Sequence, residues 1–199
     1  MSDLLAGVGT VLAAVFLVPQ IGRILVRRDI TGLSPSWASV GTLSNLTWLV
    51  YLGTNDLWNA MLAPGAALVC YAATLTLVSR RAGFRSWLAA GVVYGTSILT
   101  SGLLLGDDGL GIVLAVTPAI QLTPGVVAAY RVTPTGVSPA TWAIAVVEAI
   151  VWGGYGWIVG DPPLVGYGII TALGSALILG RTWTARPASS VREVALAEV

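Results

Sequence analysis

Long apolar stretches alternate with short polar connections along the whole chain. The stretches cover residues 4–26, 35–53, 57–78, 86–105, 110–130, 139–159 and 162–179. Each is close to the ~20 residues that a helix needs to cross about 30 Å of hydrocarbon. The pattern predicts an all-α membrane protein with seven transmembrane helices. The first stretch lacks a basic leader and a cleavage signal, so it is expected to remain as a helix. Residues 182–199 turn polar and predict a tail.

Composition agrees with the pattern. Of 199 residues, 56% are hydrophobic and 10% charged, against about 25% charged in a soluble domain. All ten basic residues are arginine, with lysine and histidine both absent. Lysine Schiff bases, phosphate-loop lysines and histidine metal sites are therefore excluded. Cys70 is the single cysteine, so neither an intrachain disulfide nor a thiolate cluster can form. No nucleophile–base pair is visible, and the chain is not expected to be an enzyme or to carry a metal or cofactor.

The charges sort by connection. Arg23, Arg27, Arg28, Arg80, Arg81, Arg85, Arg131, Arg181, Arg186 and Arg192 fall on one side of a seven-span chain; Asp3, Asp56, Asp107, Asp108 and Asp161 collect on the other. The positive-inside rule makes the arginine side cytoplasmic, with the N-terminus outside and the C-terminus inside. The expected partners are the lipid bilayer and a small-molecule solute, not nucleic acid. A homo-oligomer is left open, and the expected location is the cell membrane.

The chain also repeats itself. Thr31-Gly32-Leu33-Ser34-Pro35 returns as Thr135-Gly136-Val137-Ser138-Pro139 at an offset of 104. Trp48 matches Trp152 and Tyr51 matches Tyr155 at the same offset; Pro19 matches Pro124 and Asp56 matches Asp161 at 105. Two odd-numbered units joined directly would be inverted. The unmatched fourth span restores the side. The predicted plan is two parallel three-helix repeats, residues 4–79 and 110–181, joined by a linker helix at 86–105, with a cytoplasmic tail at 182–199.

These residues resemble the PQ-loop superfamily and, within it, the SWEET transporters. The resemblance rests on Pro19-Gln20, the Thr-Gly-Leu-Ser segment, Trp48, Tyr51 and Asp161-Pro162-Pro163-Leu164, and covers residues 4–181. It implies the 3+1+3 plan and alternating-access, facilitative movement of a small solute such as a sugar. A sugar-packing tryptophan of the second helix of each unit falls on Trp48 and Trp152. A sugar-binding asparagine of the third helix falls on Gly168 in the second repeat and on Ala63 or Pro64 in the first. Asn59, about one turn away, is the candidate substitute. The second Pro-Gln is Pro124-Gly125. Two alternatives stay open: a proton-coupled PQ-loop carrier of an amino acid or other polar metabolite, and a seven-helix membrane receptor.

Some chemistry stands without the resemblance. Glu148 is an acidic residue deep in a span, where an unpaired charge costs about 2.5 kcal/mol or more, so it is expected to face the interior. It lies four residues before Trp152, on the same helical face. Its repeat partner is Ser44, with Asn45 adjacent. Gln20, Gln121 and Thr123 are its candidate partners. Pro19, Gln20, Pro124 and Gly125 are expected hinges, because proline removes a backbone donor inside a helix. Trp58, Trp87 and Trp183 are expected at the lipid interface.

Overall fold

A computed structural model describes residues 1–82 and 85–185, with side chains for 1–80 and 89–185. The side chains of Arg81, Arg85 and Trp87, and the tail beyond residue 185, lie outside the described residues. The described structure is helical, with no strand among the described residues. The helices are α1 (Ser2–Val15), α2 (Val18–Arg27), α3 (Pro35–Thr54), α4 (Leu62–Ala82), α5 (Arg85–Arg131), α6 (Pro139–Val159) and α7 (Pro162–Thr184). Five helical stretches are long and apolar enough to cross a membrane: Ser2–Arg27, Trp58–Arg80, Ala89–Arg131, Pro139–Val159 and Pro162–Thr184.

Local sequence sets where the helices begin and bend. Pro19 stands in the first turn of α2, and the chain leaves regular α-helix at Phe16 and Leu17 just before it. That is where a proline ring would crowd the carbonyl of Val15. α3 and α6 start alike, with Pro35 and Pro139 in the first turn. The Ser34 and Ser138 hydroxyls accept from the backbone N–H of Trp37 and Thr141. Asp161 caps α7 by accepting from the N–H of Leu164 at 2.8 Å. Each cap satisfies a donor that the first helical turn leaves open.

α5 bends sharply at Gly106, whose φ of 61° and ψ of −145° are open only to glycine. Its second arm then runs through Pro118 and Pro124 without leaving the helix. The hinge expected at Pro124-Gly125 is thus continuous helix, unlike its partner at Pro19. Gly125 is buried, and its α-carbon faces Ile178 and Trp37.

Neighbouring helices close into a ring. α1 packs on α4, α4 on α3, α3 on α5, α5 on α7, α7 on α6, and α6 back on α1. α3 carries seven Ser, Thr and Asn side chains, and ten of its residues are buried, including Ser39, Ser44 and Thr47. Its neighbours thus shelter the polarity that lipid would not accept. α6 and α7 approach closely at Gly153 and Gly168; a β-carbon on Gly168 would lie 2.5 Å from the Gly153 α-carbon.

Candidate solute cavity

The charged groups segregate to the two ends of the helix ring. At one end Arg23, Arg27, Asp29, Thr135 and Thr182 line a common cleft. At the other, Asp3 meets Asn59 and Asp161 meets Tyr51.

At the arginine end the two copies of the repeated segment meet each other. The Gly136 N–H donates to the Thr31 carbonyl at 3.0 Å. A β-carbon on Gly136 would lie 2.5 Å from the Thr31 nitrogen, and one on Gly32 would lie 2.9 Å from Pro134. The two glycines therefore permit the contact. Gln20 locks it: its amide nitrogen donates to the Gly136 carbonyl and its amide oxygen accepts from the Ser138 N–H, both at 2.9 Å. Gln20 is fully buried. The Arg23 guanidinium donates to the Thr135 carbonyl, and the Thr135 hydroxyl donates to Asp29 at 2.7 Å. Partial burial pushes the Asp29 carboxyl up. The hydrogen bonds from Thr135 and Thr31 and the charge of Arg23 more than offset this and hold it below the usual carboxylate value.

The aspartate end is closed by a second reciprocal pair. The Tyr51 hydroxyl of α3 donates to Asp161 at the start of α7 at 3.0 Å. Its repeat partner, the Tyr155 hydroxyl of α6, donates to the Asn59 amide oxygen just before α4, also at 3.0 Å. Asn59 in turn donates to Asp3 at 2.9 Å.

Between these closures lie two cavities of about 40 Å³ each. Asn45, Trp48, Ala67, Glu148 and Tyr167 line both. The aspartate-end cavity adds Trp152, Ala63 and Pro64. The arginine-end cavity adds Trp37, Ser44, Tyr71, Gln121, Trp142 and Ser175. Glu148 is 6% exposed, with Trp152 one turn along α6. Gln121 donates to the Tyr71 hydroxyl at 2.8 Å. Gly41 leaves room for that pair, since a β-carbon there would lie 2.3 Å from the Tyr71 ring.

The expected site residues divide accordingly. Trp48, Trp152, Asn45, Ser44 and Glu148 come together around the cavities. Asn59 is exposed and belongs to the aspartate-end closure. Gly168 is held in the α6–α7 contact, while its neighbour Tyr167 lines the cavities. Gln20 lies in the arginine-end closure. Of the partners expected for Glu148, Gln121 shares its cavity, and Thr123 is exposed and bonds the Ala119 carbonyl. Trp37, Tyr71 and Trp142 were not anticipated as lining residues. Trp58 and Trp183 are exposed. Compared with known proteins, the chain matches no family model and no curated protein.

Proposed function

We propose that the protein is an alternating-access membrane transporter of a small solute, SWEET-like and facilitative, with a sugar as the expected substrate type. The observation that carries this reading is the pair of cavities around Trp48 and Trp152, closed at both ends by contacts between the two halves of the chain. An occluded carrier needs that arrangement: a chamber of aromatic and small apolar side chains with a few polar groups, such as Asn45 and Glu148, and two separable closures. The closures differ in chemistry, so one can open while the other holds.

Seven crossings fit the helices better than five. The 43-residue apolar part of α5 is roughly 65 Å long at 1.5 Å per residue, about twice the hydrocarbon thickness. Its bend at Gly106 divides it into a linker arm and the first helix of a second repeat. α3, sheltered by its neighbours, supplies the remaining crossing. The ring then reads as α1–α4–α3 followed by α5–α7–α6, the same internal order twice. Contact of the Thr31–Pro35 segment with its own copy supports a two-fold axis along the membrane normal. The arginine end faces the cytoplasm of a plasma-membrane protein. In a Cys70→Ser background, a cysteine at position 56 is expected to react with an impermeant reagent added outside. Reaction only after the cytoplasmic face is opened would reverse this topology.

A proton-coupled carrier of an amino acid or similar metabolite is the second reading. Glu148 favours it: a buried carboxyl lining both cavities, with no charged partner among the described residues. Uptake into proteoliposomes tests both, using a panel of neutral polyols, sugars and amino acids, with and without an imposed pH gradient. Downhill uptake of a polyol or sugar that ignores the gradient supports the first reading; uphill uptake driven by it supports the second. No uptake of any member rejects both.

A further inference from the structure

A deficit of hydrogen bonds is concentrated in one place. The indole nitrogens of Trp37, Trp48 and Trp142 and the hydroxyls of Thr141, Thr171 and Ser175 are buried and reach no hydrogen-bond partner among the described residues. All six line the arginine-end cavity. Folded proteins leave few buried polar atoms unpaired, so six around one small cavity point to an occupant with its own polar atoms.

The chemistry of these atoms defines the occupant. An indole N–H donates and cannot accept. Three such donors therefore require oxygen acceptors, and no oxygen of the described residues bonds any of them. Gln121 donates its amide nitrogen to the Tyr71 hydroxyl. The three unpaired hydroxyls can donate or accept. The ring faces add a second preference. Trp37 and Trp142 have centroids 5.6 Å apart at 45°, and Trp37 meets Tyr71 edge-on at 5.2 Å. Apolar faces with N–H groups at their rims suit a molecule that alternates C–H surface with oxygen atoms.

We propose that the arginine-end cavity is a second solute-binding site, distinct from the Trp48–Trp152 level, for a neutral solute that presents at least three hydroxyl or carbonyl oxygens. The inference rests on the transport reading and extends it. The path then holds two successive positions that share Trp48 and Glu148. At about 40 Å³ the cavity admits only one to three waters in the closed arrangement. The site fills when the Gln20 closure releases and the Thr31 and Thr135 segments part. Waters hold the donors in between.

The full chain in lipid nanodiscs, labelled with 5-fluorotryptophan, tests this directly. Its eight tryptophans give fluorine resonances assignable by single Trp→Phe variants. Glycerol and glucose serve as probes because each carries three or more hydroxyls; tetramethylammonium serves as a cation without acceptors. The expected result is a saturable shift of the Trp37 and Trp142 resonances with glycerol or glucose and none with tetramethylammonium. Ser175→Ala removes one unpaired hydroxyl with little change of volume and is expected to weaken that response about tenfold. Silence of Trp37 and Trp142 while Trp48 or Trp152 responds, with uptake intact, overturns the second site alone and leaves the cavity to water. Silence of all four together with absent uptake overturns the transport reading as well. An equal response to tetramethylammonium overturns the assigned solute class.

Discussion

On the proton-coupled reading, Glu148→Gln is expected to abolish accumulation driven by a pH gradient while leaving exchange between equal concentrations intact. Glu148 is 6% exposed and lines both cavities. An ionised carboxylate at mid-membrane costs about 2.5 kcal/mol or more unless it is paired. Among the described residues no cation pairs with Glu148. In an alternating-access carrier its charge would depend on which closure is open and admits water. Glutamine keeps the volume and keeps an oxygen that can accept from Trp152, but it carries no titratable proton. The variant thus separates the proton from the shape of the chamber. The measurement is uptake by proteoliposomes under an inward proton gradient, with counterflow at equal concentrations as the control. A wild-type protein indifferent to the gradient, with a Gln variant that transports normally, would leave Glu148 a structural role and the facilitative reading in place.

The parts of this arrangement that could be read from the chain are those where a residue type conflicts with its surroundings or recurs at a fixed offset. Glu148 in an apolar run, Pro19 in a helix, and Trp48 with Trp152 all belong to that kind, and the structure puts them at the cavities or at a helix break. Asn59 escaped because spacing along a regular helix was the guide. The chain there begins with a tight 3₁₀ turn, Trp58–Ala60, before α4. Asn59 therefore sits exposed at the end of the helix ring, hydrogen-bonded to Asp3 and Tyr155. Gly168 occupies the position that the repeat gives it, but a β-carbon there would meet the backbone of Gly153 and Ala149. Close helix approach is a property of two sequences at once and cannot be seen in either. Trp37 and Trp142 went unnoticed because their offset, 105, slips by one from that of the segments before them. They are not repeat partners in the sequence; their rings meet through packing, with centroids 5.6 Å apart. Pro124 shows the opposite failure. The same residue type that accompanies a break in the first repeat sits in unbroken helix in the second, where Gly125 packs against Trp37 and Ile178.

Removing both cavity tryptophans, Trp48→Ala with Trp152→Ala, is expected to lower uptake roughly thirtyfold, with each single change lowering it about fivefold. The figures follow from ~1 kcal/mol for each aromatic face that a solute loses. Both rings are 5% exposed and rigidly held. Trp48 meets Tyr51 edge-on at 5.6 Å, and Trp152 meets Tyr155 at 5.4 Å. The same tyrosines form the aspartate-end closure, so each cavity ring is braced by a residue of the gate. Large-to-small changes of this kind also cost a few kcal/mol in packing. Monodisperse elution of the reconstituted variants must therefore accompany the uptake measurement. A gentler change asks the same question without removing a ring. Gly9 of α1 lies directly against Trp152, and a β-carbon there would stand 2.7 Å from the indole. Gly9→Ala must displace that ring toward the aspartate-end cavity and is expected to reduce uptake to a similar degree as Trp152→Ala. Trp183→Ala, at a residue 71% exposed, is expected to leave uptake unchanged. Wild-type uptake by the double variant and by Gly9→Ala would return Trp48 and Trp152 to packing roles and remove the solute from that level of the chamber.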